Sequence, residues 1–534
     1  MIHCSSIQIN PKQTIRGRVL DIDSQTPLIG VNLILGSDDP VTGTITDVNG
    51  YFKFEGVPVG RHDLKISSVG YEPKYISKFL VGSGKELVMT IEMEESIVEI
   101  SEVEITNSQD KSQPVNKLTL VSGRSFSSYE IENYPGSMSD ISRAAVSLPG
   151  VLSTNDGQNH IVIRGNSPKG LQWRLEGIEI PNLNHFSNIG ASGGGVGIIS
   201  NNMISGSDFI TSAFPAEYGN ALSGVFDLRL RKGNSEKHEQ TIQVGLIGTE
   251  VMIEGPLNKA NNTTYIANYR YSTFKLIQKM GAPLRNVPDF QDLSFKIYHP
   301  TKKLGVFSIF GIGGLSHEEG VSGYIMNSNM STVGVSNNLT INPKSFLKST
   351  VAFSGWNYNW NEEWNIGTET YPIDEKSITD VKDFTLKGSI ALNRKINPKH
   401  KVKIGLIYEM AFNDSYIGLF SDTLYNRFSN PVDPGYQTLN YEYVYTDANT
   451  HASTIQSFVN WKYRIGEKLT LNSGLHFIEY FLNNNYSIEP RLGLQWSVLQ
   501  RHTFSAGFGI HSKKESMTLY TGTSLLPDGS LDQP

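Results

Sequence analysis

One cysteine, Cys4, stands in 534 residues. A disulfide scaffold within the chain is therefore excluded, and so is a zinc site built on cysteines. Charge of one sign is missing as well. The 46 Lys and Arg face 52 Asp and Glu, a net of −6, so the global balance does not point to nucleic acid. No run of about 18 apolar residues occurs, which excludes a transmembrane helix. Transmembrane strands stay open, because their hydropathy alternates and is weak per segment. The first 13 residues carry no apolar signal-peptide core, so either the protein is not exported or its true start lies upstream of Met1. No Gly-x-Ser-x-Gly elbow stands in a strand–turn–helix setting. The 12 histidines are scattered without ligand spacing. A non-enzyme with neither metal nor cofactor is expected.

What is present is β signal. The 50 glycines and 24 each of Tyr and Phe suit a large β protein. Between Ile455 and Ile510, period-2 hydrophobicity recurs four times. Ile455, Val459, Trp461, Tyr463 and Ile465 form one row. Leu469, Leu471, Leu475 and Phe477 form the next, then Leu492, Leu494, Trp496 and Val498, then Phe504, Ala506, Phe508 and Ile510. Alternation puts one apolar row on one face of each strand. Tight turns at Gly466–Lys468 and Gln500–His502 make the set an antiparallel meander.

Three textures divide the chain. Residues 14–93 predict a small β-sandwich, with strands at Thr14–Asp21, Gly30–Leu35, a hairpin over Thr44–Phe54 turning at Asp47–Gly50, Asp63–Ser67 and Glu86–Met93. An acidic, Ser-containing linker follows at 94–111. Residues 112–234 predict a mixed α+β unit with a helix over Ser139–Leu148, strands at Ile161–Ile163, Trp173–Ile180 and Val225–Leu230, and a flexible glycine-rich loop at Asn188–Gly197. From 238 to 534, strands dominate. Thirteen are expected, near 238–247, 248–257, 262–273, 291–299, 304–316, 331–341, 346–357, 383–396, 402–413, 453–465, 469–482, 486–499 and 503–513.

Their connections segregate by length. Tight turns (Asn258–Asn262, Pro300–Lys303, Asn342–Ser345, Asn397–His400) alternate with long loops such as 274–290, 358–382 and 414–452. Short turns at one end and long loops at the other are the pattern of a transmembrane barrel. A soluble sandwich has no reason for it. An odd, open set of strands would leave bare backbone in lipid, so the barrel is expected to be incomplete and the chain a fragment.

At this point the residues carry a resemblance. Gly17-Arg18-Val19, Pro27–Val31, Thr46–Phe52 and Val69-Gly70-Tyr71 resemble a carboxypeptidase-regulatory-like domain. Ile161–Gly165 followed by Leu175–Ile178 is similar to a plug motif, with Glu176-Gly177 where Asp-Gly is usual. Phe214–Asn220 and Gly224–Phe226 resemble the end of a plug, and Ile488–Arg491 a barrel-strand motif. In that order they resemble a TonB-dependent outer-membrane receptor of the Bacteroidota type, C-terminally truncated. The resemblance implies a mainly β chain: a sandwich, an α+β plug, and about 13 of about 22 barrel strands. It implies residence in the outer membrane, with the regulatory-like domain and plug base facing the periplasm. Its partners would be TonB with its inner-membrane motor proteins, outer-membrane lipid, a surface lipoprotein, and a scarce solute. That solute would be an iron chelate, cobalamin, an oligosaccharide or a peptide. The counterpart of the TonB box would be Glu102, Val103, Glu104, Ile105 and Thr106, an extended segment suited to strand addition.

The residues themselves suggest further roles. Arg164 reads as a buried plug–barrel pairing group and Glu176 as an intraplug partner, with Gly165 and Gly177 as structural members of the same motif. Asn184, His185 and Phe186 lie where a plug loop could meet solute. Trp360 and Trp364 could stack on a ligand, while Trp356 and Tyr358 read as an interfacial aromatic girdle. A passive porin-like channel or adhesin, and a secreted carbohydrate-binding protein, remain as other readings.

Overall fold

The structure is a computed structural model. It describes the chain except residues 1–10, 37–41, 97–113, 127, 135, 156, 190–192, 321–322, 366–373, 422–440, 500–501, 523, 526–530 and 533–534. Near the N-terminus two sheets pack face to face. In one, Lys12–Asp21 lies between antiparallel Tyr51–Pro58 and parallel Leu87–Met93; the other runs Thr42–Ile45, Asn32–Leu35, Gly60–Ser67, Lys74–Val81. Alternating residues Ile15, Val19, Leu33, Phe52, Phe54, Leu64, Ile66 and Ile91 fill the gap between them. Each such side chain contributes about 1.5–3 kcal/mol on burial.

The expected Thr44–Phe54 hairpin is instead a corner between the two sheets, because Thr42–Ile45 pairs with Asn32–Leu35 while Tyr51–Pro58 pairs with Lys12–Asp21. Asp47 holds that corner through its side chain, accepting the N–H groups of Asn49 and Tyr51 at 2.9 and 2.8 Å. Gly50 supplies φ +76, and a Cβ there would run into the Val19 carbonyl. The strand Lys74–Val81 gave no clear pattern because Lys78, at φ 52, interrupts its alternation.

The middle of the chain folds around a five-stranded sheet in the order Ile178–Ile180, Leu171–Leu175, Gly224–Leu228, Ser207–Ile210, Gly123–Phe126. Trp173 stacks on Phe226 at 4.5 Å, and Phe226 on Phe209 at 4.4 Å. The expected helix is shorter, Ile141–Val146, and starts at Asp140, whose carboxylate accepts the Ser142 N–H. The same carboxylate takes Gly197 N–H at 2.7 Å and Asn159 Nδ2 at 2.9 Å. The C-terminal end of the glycine-rich loop is therefore pinned, with Val196–Gly197 pairing against Asn184–His185.

The rest is one antiparallel sheet of thirteen strands, each paired with the next in sequence from Glu239–Val244 to His502–Gly509; those two edges do not pair with each other. Its outer face is apolar, with Val351, Phe353, Ile404, Leu406, Leu475, Leu492 and Trp496 between 43% and 57% exposed. Its inner face carries Ser294, Thr332, Ser354, Asn460 and His476, all buried against the middle unit. An apolar wall with a polar lumen is the inversion expected of a membrane barrel.

Four strands run longer than their patterns: Ser345–Asn365, Asp374–Asn397, His400–Ser421 and Tyr441–Ile465, of 21 to 25 residues. Crossing a bilayer takes about 9–11. Beyond the lipid both faces are solvated, so alternation carries no signal there, and the expected loops 358–382 and 414–452 shrink accordingly. Inside the expected loop 274–290 stands a short helix, Thr273–Lys279, capped by Ser272.

Candidate functional site

The TonB-box candidate Glu102–Thr106 lies outside the described residues. The plug motif is described, and its two charged residues exchange the roles expected of them. Arg164 and Gly165 (φ 51 and 80) form the tight turn after Ile161–Ile163. Arg164 is exposed and donates from Nη2 to Ser122 Oγ at 3.0 Å, so it is not a buried plug–barrel group. Glu176 is. With Gly177 (φ 53 and 92) it turns the chain between Leu171–Leu175 and Ile178–Ile180. Its buried carboxylate accepts Lys296 Nζ from the barrel wall at 2.8 Å and the Leu230 N–H at 2.8 Å. Burial pushes the carboxyl up, but Lys296 and Lys348 outweigh it and hold Glu176 below its ordinary value.

Removing one member of such a pair is costly, because it strands the other in a low dielectric. Lys296→Met should therefore lower plug stability by about 3–5 kcal/mol. Hydrogen exchange over Ile178–Ile180 would report the loss. Glu176→Gln with Lys296→Met should recover most of it, and a double variant as unstable as the single one would refute the pairing.

Asn184 and His185 do not face open solvent. His185 is fully buried: its Nε2 donates to Asp292 Oδ2 at 3.1 Å and its Nδ1 accepts from Ser316 Oγ at 2.8 Å, both barrel residues. Burial lowers its pKa, so the ring is neutral, and Asp292 also receives Arg270 at 2.8 Å. Asn184, 1% exposed, accepts from Asn159. Phe186 packs edge-on against Phe290 at 6.4 Å. These residues clamp plug to wall, and burial removes Asn184 and His185 as solute contacts in this conformation.

Trp356 and Tyr358 also depart from expectation. On their strand the odd positions Val351 and Phe353 point outward, so even positions point inward. Trp356 donates Nε1 to Ser187 Oγ of the plug at 3.1 Å and stacks on Tyr358 at 5.8 Å. Neither belongs to a lipid-facing girdle. Trp360, of the same parity, stacks on Tyr324 at 4.3 Å, giving an aromatic platform at the long-loop end. Trp364 lies on the same strand. An outward aromatic group does exist at the opposite end, where His400 stacks on Tyr463 at 4.4 Å and on Trp461 at 5.7 Å.

The partners made by two further groups were not found from sequence. Arg491, opposite the end of the plug, donates Nη1 to the carbonyls of Pro215 and Tyr218 at 2.9 and 2.7 Å, while Nη2 pairs with fully buried Glu489. Gly219 comes so near the wall that a Cβ would overlap the His476 ring. At the short-turn end, the sandwich presents Asp21, Asp23, Glu72, Glu94 and Glu95 to Lys395, Lys401, Lys462 and Arg464 of the barrel. Lys395–Glu95 is 2.6 Å, Lys401 meets Asp23 and Glu94 at 2.7 Å each, Lys462–Glu94 is 3.1 Å, and Arg464 pairs with Glu72. A second anchor joins Arg16, Glu86 and Asn234, with Lys85–Glu254 at 3.1 Å. Among the described residues no group of His, Cys, Asp and Glu could hold a metal ion.

Residues 15–105 match the CarboxypepD_reg-like domain family. No curated protein matches the chain. Among solved structures, the outer membrane transporter YddB from Escherichia coli superposes with a TM-score of 0.52 at 13% identity, over 74% of this chain and 61% of that one. A ferric enterobactin receptor, PfeA, from Pseudomonas aeruginosa gives 0.52 at 14%, over 77% and 64%. The siderophore receptor PirA from Acinetobacter baumannii gives 0.51 at 12%, over 74% and 61%. The chain thus spans about three-fifths of the length of these structures.

Proposed function

We propose, from the fold of a TonB-dependent receptor carrying an N-terminal CarboxypepD_reg-like domain, that this chain takes up a scarce solute across the outer membrane with energy transmitted by TonB. The observation that carries the reading is a folded plug filling the lumen and held there by polar contacts. The struts Glu176–Lys296, His185–Asp292 and Arg491 with the carbonyls of Pro215 and Tyr218 are ion pairs and hydrogen bonds, set beside an apolar cluster that joins Leu183 and Ile198 of the plug to Phe310, Ile312 and Met330 of the wall. Polar struts suit a part that must move, since water entering the lumen can satisfy each group once it is released. A passive channel is the weaker reading, because this lumen is occupied. The apolar outer wall likewise disfavours a secreted soluble protein.

Solute would enter at the long-loop end, where Trp360 and Tyr324 stack. The sandwich and plug base would face the periplasm at the short-turn end. Force on the linker that contains Glu102–Thr106 would be transmitted between them. Which solute is carried is set by loop chemistry, and fold alone does not fix it.

The test uses the full-length protein and the periplasmic domain of TonB. Deleting residues 102–106 should weaken their binding at least tenfold, read by interferometry, and abolish energy-dependent uptake. Unchanged binding and uptake in the deletion variant would remove the TonB reading.

A further inference from the structure

A cavity of about 460 Å³ lies at the short-turn end, enclosed by the sandwich, the base of the plug and the barrel wall. That is the size of a small-molecule site. Its lining is unbalanced: among the described residues it carries twelve Lys and Arg against five Asp and Glu. Five of the cations are answered by carboxylates. Lys296 meets Glu176, Lys403 meets Glu217, and Lys395, Lys401 and Lys462 meet the sandwich acids.

Arg174 donates to the carbonyls of Glu217 and Gly177, and Arg18 to that of Asn49. Neither Lys232 nor Lys348 has a carboxylate within ion-pair distance among the described residues. Lys232 lies over the Tyr298 ring at 5.6 Å. Lys348 lies so close to the Glu176–Gly177 turn that a Cβ on Gly177 would sit 3.1 Å from its Nζ. An unpaired ammonium away from bulk water is costly unless it finds a counter-charge or gives up its proton. Burial, with Arg18, Arg16 and Lys296 nearby, lowers the Lys232 pKa to about 8, the sign of a cation held without an anion.

We propose that this chamber is a binding site for a small polyanion, a carboxylate- or phosphate-bearing solute held by Lys232 and Lys348 between plug and sandwich. The site rests on the uptake reading for its place in transport. A solute that has passed the plug would meet it before reaching the periplasm, and the sandwich forms its floor through Arg18 and Asp23. Two spaced ammonium groups in a chamber of this volume favour an anion with more than one charged oxygen group over a monovalent ion.

Calorimetric titration of the purified full-length protein with inorganic phosphate and, separately, with citrate at low ionic strength tests the proposal. At least one of them should bind saturably at a single site. That affinity should fall at least tenfold in the K232Q/K348Q variant and survive in K232R/K348R, which keeps both charges. Binding of phosphate alone would mark a site for small inorganic anions, and binding of citrate a site for polycarboxylate solutes. No saturable binding of either, or equal affinity in the Gln variant, would overturn it. The titration needs no energised membrane, so a failure of TonB-driven uptake would be seen separately from a failure of this site.

Discussion

Replacing Arg491 with alanine is expected to loosen the plug more than any other single change in the lumen. The guanidinium spans two partners: Nη1 ties the carbonyls of Pro215 and Tyr218, and Nη2 neutralises Glu489, which is fully buried. Alanine would leave that carboxylate without its cation, with only the Ser512 N–H and hydroxyl still donating to it. Stranding a buried charge costs about 3–5 kcal/mol. The loss falls on the contact between plug and wall, so the expected readout is leakage: increased single-channel conductance in planar bilayers and faster exchange of amides near Tyr218. Arg491→Lys should recover only part, because one ammonium cannot reproduce the forked contact. Wild-type conductance and exchange in the alanine variant would show that the plug end is held elsewhere.

The second large effect concerns the sandwich. Glu94→Lys would set a fourth cation beside Lys401, Lys462 and Arg464, which now converge on Glu94 at 2.7, 3.1 and 3.7 Å. The docked sandwich should detach from the barrel rim while remaining folded, because Glu94 lies just past the last sandwich strand, Leu87–Met93, and outside its core. Hydrogen exchange at Asp21–Ser24, on the docked face of the sandwich, should be slow in the parent protein and fast in the variant. Equally slow exchange in both would mean that these ion pairs do not hold the domain.

The same cluster sets a pH dependence. Burial pushes the Glu94 carboxyl up, but Lys462, Lys401 and Arg464 bring it well below its ordinary 4.5. A depressed carboxyl stabilises docking fully above its free value, and that share is lost as pH falls below about 4.5. Asp23 and Glu72 are raised by burial and act in the opposite sense at higher pH. The comparison of parent with Glu94→Gln therefore isolates the Glu94 share, and only the parent should lose docking steeply in acid.

Much of the wall was legible because lipid imposes a rule on every strand that crosses it. Val459, Trp461, Leu475, Leu492 and Trp496, picked out by alternation alone, all face outward. The same rule could have corrected the Trp356 assignment. Val351 and Phe353 are an apolar outward pair of odd parity, so Trp356 and Tyr358, being even, had to face the lumen. Arg164 was misplaced for a different reason. Arg164 and Glu176 both stand at turns with positive φ, and nothing in the residue type announces which member of a motif will be inside.

The sequence by itself determined the class of object: an alternating wall, a mixed unit to fill it, a small sandwich before both, and loops sorted by end. These follow from local periodicity and turn chemistry, which neighbouring residues carry between them. Only the tertiary structure decided the contacts on which function depends. Glu176 finds Lys296 across 120 positions, Arg491 finds Tyr218 across 273, and Glu94 finds Lys401 across 307. Charges that distant in the chain have no shared pattern to betray them. Their pairing is set by strand register and by the depth at which the plug sits. For the same reason Lys232 and Lys348, with no carboxylate at ion-pair distance, become visible only once the charges of the chamber have been set beside their neighbours.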